Sequence, residues 1–164
     1  MNWLQLADEV IAGKVISDDE ALAILNSDDD DILKLMDGAF AIRKHYYGKK
    51  VKLNMIMNAK SGYCPEDCGY CSQSSKSTAP IEKYPFITKE EILAGAKRAF
   101  ENKIGTYCIV ASGRGPTRKD VNVVSEAVEE IKAKYGLKVC ACLGLLKEEQ
   151  AQQLKEAGVD RYNH

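Results

Sequence analysis

The chain has 164 residues, of which 45% are hydrophobic, and this length and composition allow a hydrophobic core. Its 23 Lys and Arg nearly balance its 24 Asp and Glu, and the net charge of -1 argues against nucleic acid as the main partner. No apolar run reaches the roughly 18 residues that a membrane span needs, so we expect no membrane partner.

The first 50 residues predict a helical segment that precedes the rest of the chain. Asn2 can cap the first helix. Four apolar side chains of this helix fall on one face at helical spacing, namely Trp3, Leu6, Ala7 and Val10. Ser17 and Glu20 form the pattern of a capping box for a short second helix. The apolar residues of that helix are Ala21, Leu22, Ile24 and Leu25.

A third helix is predicted from about residue 30 to residue 47, with Gly48 just past its end. Its expected core-forming stripe consists of Ile32, Leu35, Met36, Ala39 and Phe40. The acidic run 28–31 lies at the helix start, where the helix dipole favours negative charge, and we assign it to capping rather than to metal binding. His45, Tyr46 and Tyr47 at the helix end are assigned to packing and capping.

From Val51 the pattern changes to an α/β core that we place at residues 51–164. Residues 51–57 are typical of a strand that leads into a loop with Cys64, Cys68 and Cys71, spaced C-x3-C-x2-C. The loop continues past Pro80 to Pro85 and is long for a connector, as functional or mobile loops are.

Three similar units follow, each a helix, a glycine and a strand. Helices are predicted at 88–103, where Thr88 and Glu91 form a capping box, at 117–135, capped by Thr117, and at about 147–157. Strands are predicted at 106–111, at 138–143 and from 159 onward. With the first strand this alternation predicts four parallel strands with helices outside.

Three thiols within eight residues, with no fourth Cys or His beside them, favour a [4Fe-4S] cluster that keeps one iron open to a small molecule. Structural zinc normally takes four ligands, and a remote His45 or Cys108 could complete a zinc site, so zinc stays the alternative. A disulfide framework is the least favoured, because the N-terminus lacks the features of a signal peptide and a reducing, cytoplasmic location is expected.

The C-x3-C-x2-C spacing with Tyr70 directly before the last Cys resembles the radical S-adenosylmethionine enzymes. Residues 107–113, 139–144 and 162–164 further resemble the biotin synthase family. That family is longer than this chain. The resemblance therefore implies an α/β fold, the first half of a (β/α)8 TIM-type barrel preceded by N-terminal helices, with the active site at the C-terminal ends of the strands.

The resemblance also implies a first site. Its [4Fe-4S] ligands would be Cys64, Cys68 and Cys71, and S-adenosylmethionine would lie beside Tyr70, Ala111 and Ser112.

A second, [2Fe-2S] cluster is implied with Cys108 and Cys140 as ligands, while another Cys and an Arg are expected on later strands, so the ligand set is incomplete here. Strand alternation alone does not separate Cys140 from Cys142. The Leu-Gly pair that follows, at 143–144, selects Cys140 by family register. Asn163 matches a residue that faces the ureido ring of the substrate.

The implied reaction is reductive cleavage of S-adenosylmethionine and sulfur insertion into dethiobiotin to form biotin. The implied partners are dethiobiotin, an electron donor such as reduced flavodoxin or ferredoxin, and a second copy of the full-length protein in a homodimer. Two alternatives stay open, a zinc-stabilised interaction module and a truncated, non-catalytic iron-sulfur or zinc-binding fragment. The activity of a chain with half a barrel is itself left open.

Overall fold

The computed structural model describes residues 2–164, which form two compact units, one ending at Val51 and the other spanning Lys52–His164. The first unit contains α1 (Trp3–Ile11), α2 (Asp18–Leu25), a short 3-10 turn (Asp29–Asp31) and α3 (Ile32–Tyr47). Across the described residues, none of the helices has both the length and the apolar character needed to span a membrane.

The starts of α1 and α2 follow the sequence expectations, whereas at the acidic run before α3 neither Asp28 nor Asp31 makes a side-chain capping hydrogen bond. The Gln5 amide donates to the Asn2 side chain over 3.2 Å, and Ser17 and Glu20 form both hydrogen bonds of a capping box. The acidic run becomes the 3-10 turn that leads into α3. At its end Lys34 pairs with Asp31 over 2.7 Å, and this hydrogen bond lowers the Asp31 pKa.

Side-chain packing in the first unit is only partly as predicted. On α1 the side chains of Trp3, Leu6 and Ala7 are buried as expected, whereas α2 buries none of its residues. The stripe predicted for α3 is wrong as a core face, because Ile32, Met36 and Phe40 are 42%, 58% and 50% exposed.

The buried residue of α3 is instead Gly38, because this helix packs its backbone closely against α1. A Cβ at Gly38 would lie 2.7 Å from the Trp3 carbonyl oxygen, so only glycine permits this approach. At the end of α3 the His45 and Tyr46 rings pack edge to face, with centroids 4.8 Å apart, but Tyr46 and Tyr47 are 56% and 69% exposed, so the predicted packing does not extend beyond this pair.

The second unit alternates strands and helices, and all of its strands are parallel. Its elements are β1 (Asn54–Lys60), α4 (Lys89–Glu101), β2 (Thr106–Ala111), α5 (Arg118–Tyr135), β3 (Lys138–Cys142), α6 (Glu148–Glu156) and β4 (Arg161–Tyr162). The strands lie in the order β1-β2-β3-β4, so each strand pairs with its neighbour in sequence. This arrangement confirms the predicted parallel α/β sheet.

One face of the sheet is covered and the other is more open. Residues at alternate positions of β2 and β3 are fully buried in the core, namely Tyr107, Ile109, Val139 and Ala141. The residues between them on the opposite face are half-buried, and they include Cys108, Cys140 and Cys142. The more open face therefore carries the three thiols of the sheet.

The predicted strand limits need three corrections, of which the smallest is that β3 ends at Cys142 rather than at 143. The first strand begins at Asn54 rather than at Val51, whose side chain is 73% exposed, and it extends to Lys60. The last strand begins at Arg161 rather than at 159. Before it, the Asp160 carboxylate accepts the Val139 amide over 2.7 Å and pairs with Lys132. Burial opposes ionisation of Asp160, but these hydrogen bonds prevail and leave its pKa lowered.

Gly95 of α4 provides a test of core packing. A Cβ there would overlap the Tyr107 hydroxyl and the methyl group of Met57. The Tyr107 side chain is fully buried and donates to the Ile92 carbonyl over 3.0 Å, so it has little room to move. We expect Gly95→Ala to lower the free energy of unfolding by about 1–3 kcal/mol, despite the better helix propensity of alanine.

Urea denaturation followed by circular dichroism measures this change. Gly105→Ala is the matched control, because the nearest atom to its Cβ would be the Leu53 carbonyl oxygen at an ordinary 3.6 Å. Equal stability of Gly95→Ala and wild type would contradict the predicted overlap.

Candidate functional site

The C-terminal ends of the parallel strands meet at one edge of the sheet, and a cavity of about 570 Å³ opens there. Cys64, Cys68, Cys71 and Tyr70 contribute to its wall from the loop after β1. Ala111 and Ser112, at the end of β2, also line the cavity, and both are site residues predicted from the sequence. The structure thus brings six predicted residues, from two strand ends, around one space.

The cysteine loop, residues 61–77, is folded back on itself by its own backbone. The Cys64 amide donates to the Gln73 carbonyl over 3.2 Å, and the Ser75 amide donates to the Cys64 carbonyl over 2.8 Å. A turn between the other two thiols is closed by the Cys71 amide, which donates to the Cys68 carbonyl over 3.0 Å. These bonds place residues 73–75, which follow closely after the third cysteine, beside the first.

Gln73 is a structural residue of this loop that the sequence did not reveal. Its side-chain oxygen accepts the Gly62 amide over 2.7 Å and the Ser61 hydroxyl over 3.2 Å. A glutamine in a polar run carries no periodic signal, so its role becomes visible only when the loop closes.

The donor chemistry of the loop fits an iron-sulfur cluster. All three cysteines are free thiols; Cys68 is exposed and the other two are half-buried. Among residues 2–164 no three metal-ligating side chains already converge on one point, so binding would draw the thiols together. Three thiolates suit a [4Fe-4S] cluster with one open iron. Tyr70 beside them is 95% exposed, so its ring is free of core contacts.

Ser112 joins the end of β2 to the start of the cysteine loop. Its hydroxyl donates to the Gly62 carbonyl over 2.5 Å, and its amide donates to the Lys60 carbonyl over 3.0 Å. The hydroxyl is therefore already engaged, and any contact with a small molecule would use its remaining acceptor capacity or its backbone.

A second group of predicted residues lies on the more open face of the sheet. Cys108 of β2 and Cys140 of β3 are register partners, so their Cα atoms lie side by side on adjacent strands. The Cys140 thiol donates to the Asn163 side-chain oxygen over 2.9 Å. Two predicted ligands and the predicted substrate residue thus lie together.

Burial raises the pKa of the Cys108 thiol, and the neighbouring Cys140 raises it further. Burial also raises the pKa of Cys142, one alternate position farther along β3. Without a metal these two thiols stay protonated at neutral pH, so metal binding at Cys108 has to displace its proton. Cys142 lines the loop cavity, whereas Cys108 and Cys140 do not. The position of Cys108 therefore does not support it as the fourth ligand of a zinc site in the loop.

Two further residues of this region had no specific role in the sequence prediction. The Tyr162 hydroxyl accepts the Leu143 amide over 3.0 Å and donates to the Gly144 carbonyl, so it fixes the turn after β3. His164 lies in the wall of the loop cavity. Its position directly after a strand and the family resemblance of residues 162–164 both indicate a place at the strand ends, although neither assigns it a role.

The fold and this edge define an α/β protein of the barrel type with a three-thiol loop after its first strand. The model of the Radical SAM superfamily matches residues 59–164. The chain belongs to the radical SAM superfamily.

Relatives and solved structures agree with this assignment. The chain is 91% identical over its whole length to a biotin synthase of Lysinibacillus sphaericus, 50% of which it covers. It is 73% identical over its whole length to a biotin synthase of Halalkalibacterium halodurans, 49% of which it covers. The chain thus spans about half the length of the curated relatives it matches.

Among solved structures, the crystal structure of methylornithine synthase superposes on 96% of this chain and 46% of its own, with a TM-score of 0.81 and 24% identity. The [FeFe]-hydrogenase maturase HydG superposes on 98% of this chain and 36% of its own, with a TM-score of 0.69 and 22% identity. These likenesses support the predicted fold, a part of a radical SAM barrel.

Proposed function

We propose that this chain is the part of a biotin synthase that cleaves S-adenosylmethionine reductively and contributes to sulfur insertion into dethiobiotin to form biotin. The observation that carries the proposal is the three-thiol loop, which opens on a cavity at the strand ends. The reaction also requires a place for sulfur transfer. On the more open sheet face the neighbouring thiols of Cys108 and Cys140 and the side-chain amide of Asn163 match that requirement.

In this proposal Cys64, Cys68 and Cys71 hold the [4Fe-4S] cluster. When bound, the cluster supplies the electron for the cleavage and an open iron for the amino and carboxylate groups of S-adenosylmethionine. The exposed ring of Tyr70 offers an apolar face for the adenine. Ala111 and Ser112 line the cavity beside it, where a small side chain and a fixed backbone admit a close approach.

The second part of the proposal concerns Cys108, Cys140 and Asn163. The two thiols would be ligands of a [2Fe-2S] cluster, and the Asn163 amide, which both donates and accepts, would bind the ureido ring of dethiobiotin. The contact of 2.9 Å between Cys140 and Asn163 supports this pairing, because it holds the side-chain amide that would bind the substrate beside the thiol that would bind the cluster. The further ligands expected from the family do not lie in these residues.

The partners follow from the same proposal. An electron donor such as reduced flavodoxin or ferredoxin would approach the cysteine loop, a homodimer is proposed for the longer protein, and a reducing cytoplasm suits six free thiols. A second candidate is a non-catalytic fragment that binds an iron-sulfur cluster or zinc. This candidate applies to residues 1–164 taken alone, because they supply only Cys108 and Cys140 of the second set of ligands.

Anaerobic reconstitution with iron and sulfide tests the proposal. The wild-type chain should take up a brown cluster, and the paramagnetic-resonance spectrum of the reduced cluster should change when S-adenosylmethionine is added. Uptake of stoichiometric zinc, with no coloured cluster under the same conditions, would refute the proposal in favour of a zinc-binding protein.

The choice between the two thiols of β3 gives a separate prediction. In a longer chain that supplies the remaining ligands, Cys140→Ser should lose the [2Fe-2S] absorption and resonance signals, because it removes the thiol beside Cys108. Cys142→Ser is the matched control on the same strand and face, and it should keep them. Loss of the signals in Cys142→Ser alone would show that the assigned register is wrong.

A further inference from the structure

The middle of the cysteine loop has almost no polar connection to the rest of the protein. Residues 63–76 make their hydrogen bonds and ion pairs among themselves and with residues 61, 62 and 77, with one exception. Within residues 2–164 that exception is the contact of 3.1 Å between the Arg114 guanidinium (Nη1) and the Glu66 carboxylate (Oε1). Glu66 lies between the first two thiols, Cys64 and Cys68.

The contact with Arg114 restrains the Glu66 side chain, and Glu66 is well placed to transmit that restraint to the three thiols. Its backbone carbonyl accepts the Ser74 hydroxyl over 2.7 Å, so a force on its side chain reaches both arms of the loop. The same Ser74 hydroxyl accepts the Lys76 amide over 3.2 Å. Holding Glu66 therefore holds the segment that carries Cys64, Cys68 and Cys71.

The other end of the contact is fixed by the turn after β3. The Leu145 amide donates to the Arg114 carbonyl over 2.7 Å. Gly144 has a φ of +93°, and a Cβ there would lie 2.5 Å from the same carbonyl oxygen, so only glycine lets the two loops lie so close. The Arg114 backbone is thus set by the end of β3, and its side chain reaches the loop after β1.

The small energy expected of the Arg114–Glu66 ion pair indicates a local role. Arg114 is 68% exposed and Glu66 is 41% exposed, and ion pairs of this kind add little to global stability. A weak pair still has a measurable local effect where it is the sole polar link of a segment that opens independently of the core. The contact is therefore suited to restrain the loop rather than to hold the fold.

We propose that Arg114 is a positioning residue that tethers Glu66, and through it the three-thiol segment, to the end of β2, and so slows loss of the cluster. The effect on cluster loss rests on the proposed function, whereas the effect on the mobility of the metal-free loop does not depend on it. Lysine keeps the charge but lacks the guanidinium fork, so Arg114→Lys should restore part of the effect.

Hydrogen exchange of the metal-free 164-residue chain gives the loop readout. In Arg114→Gln the hydrogen-bonded amides of Cys64, Cys71 and Ser75 should exchange about two- to fivefold faster than in wild type, while α5 stays unchanged. The matched control is Lys134→Gln, which removes an exposed ion pair with Glu130 on α5 and leaves the loop intact. Arg114→Lys should lie between Arg114→Gln and wild type.

Iron release to a chelator from the reconstituted chain gives the cluster readout, and it should be faster in Arg114→Gln by a similar factor. Equality of Arg114→Gln and Lys134→Gln in either readout would overturn the tether. A wild-type chain that binds no cluster would refute the proposed function, and hydrogen exchange alone would then decide for or against the tether.

Discussion

Serine in place of Cys64, Cys68 or Cys71 is expected to abolish the [4Fe-4S] cluster of the reconstituted chain. The loop offers three thiols, and no assembled group of three metal-ligating side chains exists among residues 2–164 that could replace them. A serine hydroxyl stays protonated at neutral pH and is a poor ligand for iron in a cluster, which thiolates hold. Two remaining thiolates would leave two irons without protein ligands.

The measurements are iron and sulfide content, visible absorption and paramagnetic resonance after anaerobic reconstitution. Each variant should lose most of the bound iron and all cleavage of S-adenosylmethionine. Cys142→Ser is the control within the same cavity wall, and it should keep the cluster. Retention of a full cluster by any of the three loop variants would show that this cysteine is not a ligand.

Local sequence patterns predicted the second unit well, because the interactions that start its elements are themselves local. Thr88 and Glu91 are three residues apart and form the expected capping box, and β2 has the predicted limits of 106–111. The alternation of helix, glycine and strand also gave the parallel order, since consecutive units pair with their neighbours.

The packing of the first unit could not be predicted in the same way. Helical spacing identified an apolar stripe that includes Met36 and Phe40, but spacing does not say which neighbour covers a stripe. The contact face of α3 is chosen by Gly38, whose lack of a side chain admits the Trp3 backbone, and a hydrophobicity pattern gives a glycine no weight.

The candidate site shows the same division between local and long-range information. The rule that parallel strands end at one edge anticipated that Cys64, Cys68 and Cys71 lie near Ala111 and Ser112. The contacts that organise this edge join distant residues. Arg114 and Glu66 are 48 residues apart, and Cys140 and Asn163 are 23 apart, so neither pair leaves a periodic signal in the sequence.

Residues 1–164 on their own are expected to form no biotin from dethiobiotin, even where the first cluster is intact and S-adenosylmethionine is slowly cleaved. Of the expected second set of ligands these residues supply only Cys108 and Cys140, so the sulfur donor cannot be held as in the family. The more open sheet face also leaves Ile56 67% exposed. Radical transfer needs its target at close range in a dry site, and such positioning lowers barriers by several kcal/mol, roughly 7–11 in well-oriented systems.

Anaerobic turnover with dithionite or reduced flavodoxin, S-adenosylmethionine and dethiobiotin, read by mass spectrometry, tests this expectation. The longer biotin synthase of Lysinibacillus sphaericus, assayed in parallel, is the matched control, because it shares this part of the sequence almost completely. The control should yield biotin and residues 1–164 should yield none, while both release methionine. A stoichiometric yield of biotin from residues 1–164, without a second polypeptide, would show that two thiols and Asn163 suffice to hold donor and substrate.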